Sequence, residues 1–418
     1  MGSTLSYAID RLQAFLEELR HVSESEFPYT DSKDALTLLQ QRFEDRLTRL
    51  KAFDAKSNPD VVRNECALAL QVLFVYLPLL GFILRSTNVR NAFEVFGPLL
   101  RLSRQFLDAP TGGGRPTQLL LSSEWDYSPL SYPEIPELPG FVLIGLPASE
   151  SSNPLLIPLA GHELGHAKWV KTTLEAQTTA RAFDTAAQVV TRRWTDFVRF
   201  LGVSSAAKPA DLTTDLYLLE MWQSAVGWAV RQAEETFCDC VGVGIYGRSY
   251  LEAFAYLLSP GHLLGRSLLY PSMNARVANA LQAARTYSVD TPANYATLFD
   301  DEQLPSLSAA DQFRLEVADE TLRALVPEII KEAGDRLTQA NITLPAVAEV
   351  TRIVDRYRVV VPAETAASLS AIVNAAWRVT NDDTFWRDIP QISDKRSTLK
   401  ELVLKNIEIF EIEHIIRT

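Results

Sequence analysis

Two histidines and a glutamate stand at a spacing that suits metal chemistry. The residues are His162, Glu163 and His166, in the run His-Glu-Leu-Gly-His. In a helix, residues four apart lie on one face, so both imidazoles can point at one zinc ion. Glu163 is then placed to act as general base on a metal-bound water. The chain has only five histidines, so finding two of them at this spacing disfavours an accidental pair.

A catalytic zinc needs a third protein ligand, and a later segment offers a carboxylate for it. Glu235 and Asp239 are four residues apart on a predicted helix and share one face. Glu235 is predicted to bind zinc, while Asp239 accepts the N–H of a zinc-bound histidine and fixes its orientation. Glu234 is the rival ligand, but Cys238 rather than a carboxylate stands four residues beyond it.

The two motifs together resemble the gluzincin arrangement of zinc metallopeptidases, which is HExxH followed by ExxxD on a later helix. The 69 positions between His166 and Glu235 are compatible with that arrangement. The resemblance implies a zinc ion held by His162, His166 and Glu235. It also implies hydrolysis of peptide bonds in a protein or peptide substrate.

The segment after Asp239 is similar to one branch of the gluzincins, the prenyl-protein endopeptidases and heat-shock membrane peptidases. That branch has a His-Pro segment with a later arginine after the zinc-glutamate helix. Here Tyr270-Pro271 is followed by Arg276, so tyrosine stands where the branch has histidine. The similarity covers roughly residues 155 to 281.

Two further residues are candidates for the same site. His262 follows Ser259-Pro260-Gly261 on a predicted loop, where it could stabilise the oxyanion of a tetrahedral intermediate. A surface or capping histidine is the alternative interpretation. Arg276 could orient a carboxylate or the substrate carbonyl, and a structural salt bridge is the alternative.

Composition describes an ordinary globular chain. Of 418 residues, 47% are hydrophobic and 22% are charged, and the net charge of −12 argues against a nucleic-acid surface. The three cysteines, Cys66, Cys238 and Cys240, have no disulfide-framework spacing, which favours a reducing compartment. These features predict a cytoplasmic protein.

Residues 66–84 are nineteen residues without a charge, just long enough to cross a bilayer. Gln71, Pro78 and Gly81 interrupt the apolar run, so a buried helix kinked at Pro78 is the favoured interpretation. A membrane-anchored protein is the alternative.

The remaining patterns predict a mainly α protein. A zincin-like catalytic core is expected at 111–285, after the glycine-rich linker 108–116, with helical regions at 1–110 and 286–418. Short apolar runs at 118–122 and 140–145 predict a small β-sheet next to the HExxH helix. Its edge could bind an extended peptide, or it could be a structural hairpin.

Two functions from different classes are compatible with these patterns. The first is a zinc-dependent endopeptidase in which Glu163 is the general base. The second is a zincin-like scaffold with little turnover, which binds a partner protein through its helical flanks.

Overall fold

The structure is a computed structural model of a mainly helical chain. It describes residues 2–25, 27, 30–54, 56–85, 92–108, 116–124, 130–132, 138–150, 153–204, 206–260, 265–300, 306–382, 384, 392 and 394–417. Packing divides the chain into two units. The first comprises Met1–Arg104 and Gly113–Ser152, and the second comprises Gln105–Gly112 and Asn153–Thr418.

These units do not coincide with the three predicted regions. The sheet segment belongs with the N-terminal helices, and the helices after residue 285 belong with the HExxH helix. The physical reason is that a three-stranded sheet and single amphipathic helices must bury their apolar faces on larger partners, which local patterns do not reveal. Most of the predicted linker, residues 109–115, lies outside the described residues.

The first unit is built on long amphipathic helices that meet in one apolar core. Its helices are α1 (Gly2–Ser23), α2 (Thr30–Lys51), α3 (Pro59–Arg85) and α4 (Ala92–Leu107), the last ending in the second unit. Phe43 packs edge-on against Phe15 of α1 at 4.6 Å and against Tyr76 of α3 at 6.2 Å. Helix α4 continues through Pro98, because Val95, Phe96 and Leu99 are buried on both sides of it.

Helix α3 contains the apolar run 66–84. One face of the helix is buried, with Cys66, Leu73 and Tyr76 in the core, while Phe74 and Val75 are exposed. The prediction of a buried helix therefore applies to one face only, because α1 and α2 pack against that side. Among the described residues, Pro59–Ile83 is the one stretch of helix long and apolar enough to cross a membrane.

The sheet of the first unit has three strands. They are β1 (Gln118–Glu124), β2 (Leu130–Tyr132) and β3 (Phe141–Pro147). Strands β1 and β3 are parallel, so they do not form the structural hairpin that was one alternative, and β2 pairs antiparallel with β3. Leu120 and Leu143 join the core formed by α1 to α3. The Asp31 carboxylate of α2 accepts the backbone N–H of Leu119 at 2.9 Å, so this donor of β1 is not open to a peptide.

The second unit is arranged around one 31-residue helix, α8. Helices α5, α6, α10 and α11 all pack against α8. The elements before it are α5 (Ala160–Lys171), α6 (Leu174–Arg192), α7 (Trp194–Leu201) and α8 itself (Leu216–Tyr246). Those after it are α9 (Arg248–Leu258), α10 (Met273–Thr286), α11 (Ala309–Gln339), α12 (Val347–Arg358), α13 (Leu369–Thr380) and α14 (Lys395–Arg417).

Local capping and packing set the ends of the helices in this unit. Residues 174–201 form two helices, α6 and α7, that meet at Arg193. Helix α8 is capped by Asp215, whose carboxylate accepts the backbone N–H groups of Tyr217 and Leu218. It continues through the glycine-rich segment 241–246 and ends at Gly247.

Candidate metal centre

The HExxH residues lie on helix α5, whose start is fixed by a buried turn. A 3₁₀ turn, Pro154–Leu159, precedes α5 and all six of its side chains are buried. Trp377 of α13 donates its indole N–H to the carbonyl oxygen of Leu155 at 2.9 Å. Helix α5 then carries His162, Glu163 and His166 within its first two turns.

Helices α5 and α8 approach closely because the contact positions carry no bulky side chain. A Cβ atom added to Gly165 would lie 2.6 Å from the Cα atom of Cys238 on α8, which is closer than real Cβ contacts allow. Glycine at this position, between the two histidines, lets the backbones touch. The imidazoles of α5 therefore reach the carboxylates of α8.

Three potential ligands converge from these two helices. The Nε2 atoms of His162 and His166 are 3.2 Å apart. The Glu235 carboxylate lies 3.4 Å from Nε2 of His162 and 3.6 Å from Nε2 of His166. Glu235 and both histidine side chains are largely buried, so the three groups face one another with little solvent between them.

The spacing suits a zinc ion. Ligand nitrogens about 2.0–2.1 Å from a tetrahedral zinc are about 3.3 Å from each other, which is the scale of the three observed separations. The neighbouring charges also favour a cation. The carboxyl groups buried here belong to Glu163, Glu234, Glu235 and Asp239. The cations that pair with this group are Arg231 and Arg276, which leaves an excess of negative charge for a divalent cation to offset.

Each histidine is held from behind by its own carboxylate. Nδ1 of His162 is 2.9 Å from Asp239, and Nδ1 of His166 is 3.0 Å from Glu234. A neutral imidazole that donates through Nδ1 carries its lone pair at Nε2, the atom that faces the other ligands. Glu234 therefore orients His166, a role that the sequence reasoning missed when it weighed Glu234 only as a ligand.

The electrostatics of His162 reflect these contacts. Burial alone would lower the pKa of the His162 imidazole, but hydrogen bonds and charge attraction from Asp239 and Glu235 raise it to about 10 in the protein without metal. Burial would raise the pKa of the Asp239 carboxyl, and Arg276 and His162 hold it well below its usual range. Asp239 is thus an anion that draws the N–H of His162.

Cys238 is a second candidate for the third ligand. Its thiol and the two histidines each offer one ligand atom, all within 4.8 Å of one another. Burial, followed by the charges of Glu235 and Glu234, raises the pKa of the Cys238 thiol well above its usual value. A zinc ligand must be deprotonated, so Cys238 would release its proton on binding a metal, whereas the pKa of the Glu235 carboxyl is already lowered.

Arg276 lies behind the ligands. Its Nε and Nη2 atoms donate to Asp239 at 2.7 and 3.0 Å, and Nη2 also contacts Glu235 at 3.4 Å. The guanidinium lies over the ring of Phe254 at 5.0 Å and that of Tyr270 at 5.8 Å. These contacts match the structural alternative for Arg276, since its donors are engaged by the site's own carboxylates.

The other candidates are placed differently. Tyr270 is 42% exposed, and Glu235 contributes most to raising the pKa of its phenol, followed by burial. His262 lies outside the described residues.

Some of this arrangement has a signal in the sequence. The Gly161-His162-Glu163-Leu164-Gly165 run places small residues one turn apart on α5, and the Cys238–Gly242 pair does the same on α8. Small residues at such spacing mark close helix contacts.

The chain was compared with protein families, curated proteins and solved structures. No family model, no curated protein and no solved structure matches it.

Proposed function

We propose that this protein is a zinc-dependent hydrolase of peptide bonds. His162, His166 and Glu235 hold the metal, and Glu163 is the general base. The observation that carries the proposal is the pair of Nε2 atoms 3.2 Å apart. With Nδ1 of each ring directed at a carboxylate, the Nε2 atoms face each other: without a metal, a protonated His162 donates from Nε2 to His166, and a bound cation would take the place of that proton.

A bound zinc ion supplies Lewis-acid chemistry, polarising a carbonyl and lowering the pKa of a water molecule. Glu163 stands next to His162 on α5 and takes the proton of the attacking water. The water oxygen bonds to the carbonyl carbon, the C–N bond breaks, and Glu163 delivers the proton to the leaving amine. The second proton of the water also passes to the amine, so the products are a carboxylate and an ammonium group.

The surrounding carboxylates keep the ligand set in place during this reaction. Asp239 and Glu234 fix the two imidazoles, and Arg276 contacts both Asp239 and Glu235. Arg231 donates to Glu234 at 2.6 Å, so both orienting carboxylates have an arginine partner. The side chains of the ligands and of their carboxylate partners lie on helices rather than loops, and helices hold the fixed geometry on which catalysis depends.

The test combines metal analysis with a Glu163→Gln variant. About one zinc per chain is expected in both proteins, since Glu163 is not a ligand. In a cell lysate, new protein N-termini are expected with the wild type and not with Glu163→Gln. Absence of stoichiometric metal from freshly purified protein would overturn the proposal.

A zincin-like scaffold with little turnover is the alternative outcome of that test. Zinc would then be bound equally by the wild type and Glu163→Gln, and neither protein would generate new N-termini. Both results are read from the same two preparations.

We also propose a cytoplasmic location, because Cys66, Cys238 and Cys240 are all free and buried. Fractionation of cells without detergent tests this. The protein is expected in the soluble fraction, whereas recovery with membranes would support anchoring through the apolar helix α3.

A further inference from the structure

We propose that Tyr250 is a positioning residue of this centre: its hydroxyl holds the Asp239 carboxylate in the orientation that aims His162 at the metal. The inference rests on the proposed zinc site. Tyr250, on α9, donates its O–H to Oδ1 of Asp239 at 2.6 Å. The same oxygen is the partner of Nδ1 of His162 at 2.9 Å.

The Asp239 carboxylate is enclosed by donors. Oδ1 receives Tyr250, His162 and Nη2 of Arg276, and Oδ2 receives Nε of Arg276. A carboxylate has about four acceptor positions, so these contacts use its capacity. Arg276 binds both oxygens from α10, and Tyr250 is a further donor from α9 that shares Oδ1 with the imidazole.

The distances indicate that Tyr250 acts on the imidazole as well as on the carboxylate. Its hydroxyl oxygen lies 3.5 Å from Nδ1 of His162. The N–H of His162 therefore points at an oxygen whose position is defined from two sides, by Tyr250 and by Arg276. Without the hydroxyl, Arg276 is the remaining group that holds the carboxylate for His162, and the imidazole has more freedom to rotate away from the metal.

A glycine makes this contact possible. A Cβ atom added to Gly242 on α8 would lie 2.4, 2.6 and 2.8 Å from three ring carbons of Tyr250. The ring therefore lies directly on the bare backbone of α8, one turn beyond Asp239. Any larger residue at 242 would displace the ring and move its hydroxyl off Asp239.

A neighbouring tyrosine provides a matched control. Tyr246 is fully buried like Tyr250, but its hydroxyl has no hydrogen-bond partner among the described residues. Tyr246→Phe and Tyr250→Phe thus remove the same atom from the same kind of environment. They differ in whether that atom holds Asp239.

The experiment measures zinc dissociation constants by competition with a fluorescent chelator. Tyr250→Phe is expected to weaken zinc binding about 10–100-fold, the usual effect of losing an orienting partner. Tyr246→Phe is expected to bind zinc like the wild type. The visible spectrum of the cobalt-loaded protein should change in Tyr250→Phe alone, because that spectrum reports ligand geometry and not fold.

The outcomes separate this inference from the proposed site. If Tyr250→Phe binds zinc within about threefold of Tyr246→Phe, the positioning role is overturned, and a larger ratio supports it. If the wild type itself binds no zinc, the metal centre fails first. Gly242→Ala is the second variant: it keeps the hydroxyl but displaces the ring, and a zinc affinity equal to that of the wild type would also overturn the role.

Discussion

The identity of the third ligand can be tested by exchanging one atom at a time. Glu235→Gln keeps the shape of the side chain and removes its charge, while Cys238→Ala removes the rival thiol. Glu235 lies 3.4 and 3.6 Å from the two Nε2 atoms, whereas the Cys238 thiol and one ring nitrogen of each histidine lie within 4.8 Å of one another. We therefore expect Glu235→Gln to lose zinc and Cys238→Ala to keep it.

The expected size of the effect follows from the part of the zinc-binding free energy that one ligand contributes. Structural zinc sites bind with about 10–16 kcal/mol through four ligands, so one ligand contributes about 3 kcal/mol or slightly more. Glu235→Gln should therefore raise the zinc dissociation constant more than about 100-fold. Cys238→Ala should change it by less than about threefold, because in the proposed site Glu235 and not the thiol completes the ligand set.

The assay is chelator competition at one fixed pH, with thermal unfolding of the metal-free proteins as the control for folding. Cys238→Ala leaves a small cavity against Gly165 and should cost about 1 kcal/mol of unfolding free energy. The reasoning is refuted if Cys238→Ala abolishes zinc binding while Glu235→Gln retains it.

Three further predictions concern packing, orientation and pH. Gly165→Ala should lower the unfolding free energy by about 1–3 kcal/mol in denaturant titrations, because its Cβ would lie 2.6 Å from Cys238; unchanged stability would contradict the close contact. Glu234→Gln should weaken zinc binding about 10–100-fold in chelator competition through loss of its bond to His166, and an unchanged affinity would exclude that role. The pKa of His162 is raised to about 10, above the unfolded value of about 6.5, so its stabilisation of the metal-free protein is complete below that lower pH and lost as pH rises through 10. The unfolding temperature of chelator-treated protein should therefore decrease as the pH is raised from about 6.5 to about 10, and an increase would contradict the prediction.

The parts of the site that could be predicted from sequence follow from helix geometry alone. A spacing of four residues places two side chains on one helix face, whatever the rest of the fold does. This rule predicted that His162 and His166 share a face, and that Glu235 and Asp239 do. The structure brings the two pairs together across α5 and α8.

The pairing of carboxylates with imidazoles could not be obtained in this way. Glu234 and Glu235 are adjacent, and which of them meets a metal depends on how α8 is rotated against α5. That rotation is set by the contact of Gly165 with Cys238, which is a tertiary feature. The role of Tyr250 could not be predicted for the same reason. In the sequence it is an ordinary residue of an apolar helix, and its contact with Asp239 depends on how α9 packs against α8.

Two glycines within α8 show where local preference and tertiary packing disagree. Gly242 and Gly244 each disfavour a helix by about 1 kcal/mol relative to alanine. Helix α8 nevertheless continues, since the missing side chains admit the ring of Tyr250 at Gly242 and Leu337 at Gly244. Burial of those two neighbours outweighs the local preference.

The carboxylates behind His162 and His166 also bear on how a metal would be loaded. Hydrogen bonds to Asp239 and Glu234 direct both imidazoles, with Glu235, toward one point. Because these contacts belong to packed helices, loading of the proposed zinc site would need no folding step, unlike the metal-driven folding of zinc fingers. Nitrogen and oxygen ligands bind several divalent ions in the order of their intrinsic affinities, so metal availability in the cell would help to decide which ion such a site holds.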